Sequence, residues 1–221
     1  MRIGILGTGS MAAALGGAWV RAGHDVRVGG RDVAAARRLA AEIGAAGGGE
    51  PADAARFGEA VLVALPAGAA VPVVGSLAGE LAGRVLLDCT VPMAPGADGP
   101  ALTTGGATDS VARQLASAAP AARVSKVFGI CHESIWSMPR PSFEGAPLGV
   151  PYCADDRVAG HLTADLVGSM GCLPVHCGGL DRAGLLEAVA VFAIGVWWSG
   201  GEARHVLPSP ALAPGAVDDA E

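Results

Sequence analysis

Apolar positions take two recurring forms along this chain. Short runs at Arg2–Leu6, Asp25–Val28, Ala60–Leu65, Val85–Asp88 and Arg123–Phe128 alternate with longer stretches in which apolar residues return at helical spacing. The continuous run Ala60–Leu65, which ends at Pro66, is what a strand buried on both faces shows. Alternating strand and helix patterns predict βαβ units and a mostly parallel sheet. Helices are predicted from about Met11 to Arg21, from Asp32 through Ile43, near Val71–Leu81 and over Ser110–Ser117. Gly23 stops the first, as glycines do just past a helix end, and Asp32 caps the second. Gly44–Glu50 is predicted to hold a short third strand, and Ala94–Ala107, rich in Gly and Pro, a long loop.

Beyond Phe128 the pattern changes. Gly129–Gly149 mixes Pro, Ser and aromatic residues and reads as a long connection over a site. A strand (Val150–Cys153), a helix (Arg157–Met170), a strand (Leu173–His176) and an apolar helix (Leu185–Trp198) follow, with Asp155-Asp156 capping the Arg157 helix. From Pro208 onward Pro, Ala and acidic residues predict a disordered tail.

The first strand runs straight into Gly7-Thr8-Gly9-Ser10-Met11-Ala12, a G-x-G-x-x-A loop that opens a helix. Gly7 allows the tight turn, Gly9 lets a pyrophosphate approach the backbone, and Ala12 lets the helix pack on the strand. The phosphates then meet the free N–H groups of a helix N-terminus. The predicted fold is therefore α/β, a Rossmann-type doubly wound, mostly parallel sheet with a small C-terminal α/β extension. Residues 1–147 form the dinucleotide-binding domain, 148–207 a small substrate or dimerisation part, and 208–221 the tail.

Composition narrows the function classes. Among 221 residues the formal net charge is −6, which argues against a basic stripe for nucleic acid. The apolar run Leu185–Trp198 contains Glu187 and falls short of the roughly 20 residues that span a bilayer, so no membrane partner is expected. No N-terminal signal segment is expected either. The five cysteines form no C-x-x-C pair, which points to a reducing cytoplasm rather than a disulfide framework.

The second strand ends Val28-Gly29-Gly30-Arg31-Asp32. An NAD-selective unit places an acid there for the ribose 2′-OH, whereas a guanidinium pairs with a 2′-phosphate. Arg31 thus points to NADP, and Asp32, one step further, has its own role as a cap.

Val28-Gly29-Gly30-Arg31, Ala64-Leu65-Pro66, Leu87-Asp88-Cys89-Thr90-Val91-Pro92 and Ala122-Arg123-Val124-Ser125-Lys126 follow one another as in a known family. Val150-Pro151-Tyr152-Cys153-Ala154-Asp155-Asp156, and Cys177-Gly178-Gly179-Leu180 before Leu185-Leu186-Glu187, add to the likeness. Over residues 1–198 the chain resembles the NADP oxidoreductases that use the deazaflavin coenzyme F420. The resemblance implies direct hydride transfer between NADP(H) and the stacked deazaflavin, with the protein supplying orientation and exclusion of water. It implies that Thr8, Ser10 and Met11 hold the pyrophosphate together with Gly7 and Gly9. Arg31 would hold the 2′-phosphate, and Leu65, Pro66, Thr90, Val91 and Pro92 would flank the nicotinamide. Three departures stand out: Gly30 and Asp32 flank Arg31 where the family carries Ser and a second basic residue, Gly184 replaces an Arg, and Ile130–Trp136 is unlike the family's run. The last two fall on the second-substrate side. They leave open an imine or enone acceptor in small-molecule biosynthesis, or a non-redox binder or cyclase that kept the fold.

Among side chains that carry chemistry, His132 is a candidate proton donor beside Cys131 and Glu133, because its pKa lies near neutrality. Glu187 either faces the second substrate or caps a neighbouring backbone group. Cys89 reads as a small buried residue. Cys172, His176 and Cys177 match no zinc spacing, so no metal is expected. Trp136, Trp197 and Trp198 are candidates to stack on a flat ligand, with core or subunit contacts favoured for Trp197-Trp198. The apolar Leu185–Trp198 helix predicts a homodimer.

Overall fold

A computed structural model describes residues 1–203; the tail predicted from Pro208 lies outside the described residues. In chain order the elements are β1 (Arg2–Leu6), α1 (Ser10–Arg21), β2 (Asp25–Gly29), α2 (Val33–Ile43), β3 (Gly47–Gly49), α3 (Pro51–Phe57), β4 (Ala60–Val63), α4 (Ala67–Ser76) and β5 (Val85–Asp88). A hairpin of β6 (Met93–Gly96) and β7 (Gly99–Leu102) comes next, then α5 (Val111–Ala118), β8 (Arg123–Val127) and α6 (Glu133–Ser137). The two-residue strands β9 (Ser142–Phe143) and β10 (Ala146–Pro147) lead to β11 (Gly149–Ala154), α7 (Arg157–Ser169), β12 (Leu173–His176) and α8 (Ala183–Trp198).

One eight-stranded sheet runs β12-β11-β8-β5-β4-β1-β2-β3. Its part from β3 to β8 is parallel throughout, the order of a doubly wound dinucleotide fold. β11 joins β8 antiparallel, and β12 pairs parallel to β11 with α7 as the crossover, so the C-terminal extension continues the same sheet. Successive strand residues point to opposite faces, which yields two cores. Ile3, Ile5, Leu62 and Leu87 pack under α1, α2, α6 and α7; Val61, Val63 and Leu86 pack under α3, α4, α5 and the start of α8. Among the described residues no helix is long and apolar enough to cross a membrane.

The structure departs from the sequence expectations in four places. α3 stands where no element was expected: Pro51 sits at its start, and the Asp53 carboxylate accepts from the Glu50 N–H. α4 begins directly after Pro66 and ends at Ser76, earlier than the predicted Leu81. The long loop over 94–107 is instead largely the β6–β7 hairpin, closed by Gly99 at φ 129°, and a short 3-10 turn (Gly106–Thr108). α8 begins two residues before Leu185.

Candidate functional site

Both cavities of interest open at the carboxyl ends of the strands, where ligands of doubly wound folds bind. The first is a groove of about 450 Å³ lined by Gly7, Thr8, Gly9, Gly30, Arg31, Leu65 and Pro66, among others. Gly7 holds φ 125°, and a Cβ there would lie 2.1 Å from the Ala64 carbonyl oxygen. Gly9 is different: a Cβ on it would meet nothing within 4 Å, so the space above the backbone is open. No side chain caps α1, and its first turn carries no acid. The helix start therefore offers unpaired N–H groups to an anion. Ser10 is the first residue of α1, and Met11 faces the other cavity.

Arg31 is exposed at the groove and has no hydrogen-bond or ion-pair partner among the described residues. Asp32 is engaged elsewhere, accepting from the N–H groups of Ala34 and Ala35. Those bonds hold its carboxyl below the usual range. Thr8 brings its methyl group where a Cβ on Gly30 would lie, at 2.8 Å, so a larger residue at position 30 has no room. The groove fits an NADP dinucleotide: an open glycine cradle for the pyrophosphate, and one free guanidinium for the 2′-phosphate.

The second cavity measures about 590 Å³ and is lined by Met11, Cys89, Val91, Met93, Gly129–Glu133, Ile194, Trp197 and Trp198. One wall depends on Phe128, which takes φ 67° at the end of β8 and turns the chain outward. Its ring is held edge-on between Trp19 and Trp136, at 5.7 and 5.2 Å between centroids. Trp136 is thus a core residue and not a ligand platform, whereas Trp197 and Trp198 are exposed at 40% and 66% and line the mouth, not the core. His132 also lines the cavity; its Nδ1 lies 3.0 Å from the Ser134 hydroxyl and its Nε2 3.3 Å from the Glu133 carboxylate. Cys131 and Cys89 are thiols pushed up by burial, to about 11 and about 12, which keeps them protonated.

Four predicted residues line neither cavity. Ser10 lines a separate surface cavity together with Arg21 and Glu133. Pro92 is buried and lines neither. Thr90 is buried, and its carbonyl accepts from Lys126 Nζ at 2.6 Å. Glu187 is fully buried: it takes the backbone-capping role, accepting from the Val111 N–H at 3.0 Å, and does not reach the large cavity. The residues that sequence reasoning missed are its partners. Lys126 Nζ sits 2.9 Å from Asp88 Oδ2 and 3.0 Å from Glu187 Oε1. Burial works against the Lys126 ammonium, but the two carboxylates outweigh it and hold its pKa above the ordinary value. Burial also pushes the Glu187 carboxyl up, against the pull of Lys126, since two anions share one cation. A lone Glu in an apolar helix was the one signal that pointed here.

Gly184 lies against the 106–109 loop: a Cβ would be 2.1 Å from the Gly106 carbonyl oxygen. His176 and Cys177 lie at the far edge of the sheet, with His176 tilted against Tyr152 at 5.2 Å.

Residues 2–92 match the family profile described as NADP oxidoreductase, coenzyme F420-dependent. A relative from Methanocaldococcus jannaschii, an F420-dependent NADP reductase, is 26% identical over 150 residues, 66% of this chain and 66% of that protein, just under two thirds of its length. The crystal structure of a presumed F420-dependent NADP reductase from Arthrobacter sp. FB24 is 26% identical, covers 91% of this chain and 96% of that one, and superposes with a TM-score of 0.80. An imine reductase from Streptomyces aurantiacus, 20% identical over 90% of this chain and 62% of its own, shares the fold with a TM-score of 0.65. Over residues 2–92 this chain is thus similar to the F420-dependent NADP oxidoreductases, and over most of its length its fold is similar to that of the Arthrobacter protein.

Proposed function

We propose that this protein transfers a hydride between NADP(H) in the groove and a deazaflavin coenzyme F420 in the large cavity. The single observation that carries this reading is the pair of cavities. A glycine-loop groove with a free Arg31 and a largely apolar chamber share the strand ends, and Met11 of the glycine loop faces the chamber. When bound, the dinucleotide supplies the hydride or takes it up. The chain binds, orients and excludes water. Gly7, Thr8, Gly9 and Ser10 hold the pyrophosphate, Arg31 the 2′-phosphate, and Leu65, Pro66, Cys89 and Val91 flank the nicotinamide end. Trp197 and Trp198 cover a planar acceptor, while His132, hydrogen-bonded to Ser134 and paired with Glu133, is placed to pass a proton from solvent.

Mixing protein, NADPH and oxidised deazaflavin, and following nicotinamide absorbance, tests the reaction; no oxidation at any protein concentration overturns it. Arg31→Ala tests the cofactor. NADPH affinity is expected to fall at least tenfold with NADH affinity unchanged, and equal loss for both removes Arg31 from the 2′-phosphate. The setting proposed is the cytoplasm, in a biosynthetic role, where thiols stay reduced. The working unit proposed is a homodimer through α8, whose Leu185, Val189 and Phe192 stand exposed at 40%, 37% and 54% along one face. Light scattering of Phe192→Asp is expected to show half the wild-type mass; a wild-type monomer ends the dimer proposal.

A further inference from the structure

Behind one wall of the large cavity lies the buried cluster of Asp88, Lys126 and Glu187, which the hydride-transfer reading does not use. The Lys126 ammonium directs its three hydrogens at Asp88 Oδ2 (2.9 Å), Glu187 Oε1 (3.0 Å) and the Thr90 carbonyl (2.6 Å). Asp88 Oδ1 accepts from the Thr90 N–H at 2.9 Å. Glu187 accepts from the Val111 N–H at 3.0 Å and from the Thr104 hydroxyl at 3.4 Å. Each carboxylate is met by donors alone, the environment of an ionised carboxylate, which only accepts. Two anions and one cation sum to −1. All three side chains are almost wholly buried.

A small cavity of about 10 Å³, near the size of one water, touches Lys126 and Glu187 and is bounded by Gly129 and Ile130. The same Gly129 and Ile130 line the large cavity. Gly129 and Ile130 therefore stand between the small cavity at the cluster and the large one, and Gly129 adds no side chain there. Among the described residues, no Lys or Arg lines the large cavity. The Glu133 carboxylate adds to the same sign, shared with His132. Little stands between the cluster and the cavity to screen its charge.

We propose that the Asp88–Lys126–Glu187 cluster is a fixed negative charge that favours the oxidised dinucleotide over the reduced one, and so sets this protein to take hydride from NADPH. The inference rests on the nicotinamide lying at the large cavity, as proposed above. The oxidised ring carries a positive charge that the reduced ring lacks. A negative charge behind the wall binds the oxidised form more tightly, and it stabilises the same positive charge as it develops while the hydride leaves. Asp88 and Glu187 touch neither ring nor acceptor. They act as electrostatic positioning residues.

The test is the ratio of the two dissociation constants, NADP⁺ over NADPH, measured by titration calorimetry on the full chain. Glu187→Gln and Asp88→Asn each remove one negative charge at nearly constant shape, from two different elements. Each is expected to raise the ratio about three- to tenfold, in the same direction. Thr104→Val removes a hydrogen bond to Glu187 without changing charge, and is expected to leave the ratio alone. If both affinities fall together and the ratio holds, the cluster is structural and the proposal is overturned. Should Glu187→Gln fail to fold, Asp88→Asn decides alone. Wild-type protein that binds neither form would instead overturn the placement of the dinucleotide, a result distinguishable from an unmoved ratio.

Discussion

Gly7 and Gly9 stand two positions apart in one loop and are required for different reasons. Gly7 combines φ 125° with a carbonyl oxygen 2.1 Å from the point a Cβ would occupy, so its role is local structure. Gly9 has an ordinary φ of −86° and open space around it, so local structure does not require it, and the proposed function gives it to the pyrophosphate. Two opposite outcomes follow. Gly7→Ala is expected to lose about 3 kcal/mol of stability or more, from strain and collision together. Gly9→Ala is expected to melt with the wild type and yet bind NADPH at least tenfold more weakly, its methyl group standing where the pyrophosphate approaches. Thermal melts beside cofactor titrations check both; a destabilised Gly9→Ala that still binds NADPH would refute the division. The turn itself was legible in the sequence because a turn of fixed spacing after a strand is a local device. The position of Arg31 at the groove was legible for the same reason, since only Gly30 separates it from the end of β2.

Among elements, legibility followed the range of the forces that define each one. β1, β4 and β5 were visible because each carries an apolar run buried on both faces, whereas β2 and β8, with Arg27 and with Ser125-Lys126 inside them, were read from their place in the strand–helix alternation. α3 was missed although Pro51 and Asp53 are start signals, because the helix is only seven residues long and small in side chains. The β6–β7 hairpin carries Pro95 and Pro100 and no alternation, so nothing short-range marked it; it gains its place by lying along α8, where Pro100 packs near Gly195. That packing also gives a physical account of Gly184. With the Gly106 carbonyl 2.1 Å from where a Cβ would be, α8 and the 106–109 loop meet backbone to backbone. Gly184→Arg is therefore expected to destabilise the fold by about 2–3 kcal/mol, seen as a melting temperature lower by about 5–10 °C. A variant as stable as the wild type would mean that the loop moves aside freely. The bare backbone at Gly184 is thus part of how the hairpin region docks on α8.

At the scale of the whole molecule, the eight-stranded sheet joins the N-terminal and C-terminal parts of the chain, and the Asp88–Lys126–Glu187 cluster adds a further tie by fastening α8 to β5 and β8. No periodicity reveals such a tie, because its members are brought together only once the sheet is closed; Lys126 and Asp88 lie 38 positions apart. Removing the cation leaves two buried carboxylates without a counter-charge, so Lys126→Met is expected to cost about 3–5 kcal/mol at neutral pH. Its pH dependence has a definite sign. Lys126 holds its proton more tightly in the folded chain than its ordinary value of 10.5, so the folded state binds that proton when the unfolded chain has begun to lose it. The stability this provides is complete below pH 10.5 and is lost as pH rises through the higher folded value. Urea unfolding followed from pH 7 to 12 is expected to show a wild-type midpoint that falls steeply above pH 10.5, and a Lys126→Met midpoint that is low at pH 7 and changes less over the same range. The two curves should approach one another at high pH, because deprotonating the lysine and deleting it leave the same pair of anions facing each other. Parallel curves would show that the alkaline loss comes from elsewhere in the molecule, and that the tie between α8 and the sheet is made by packing rather than by charge.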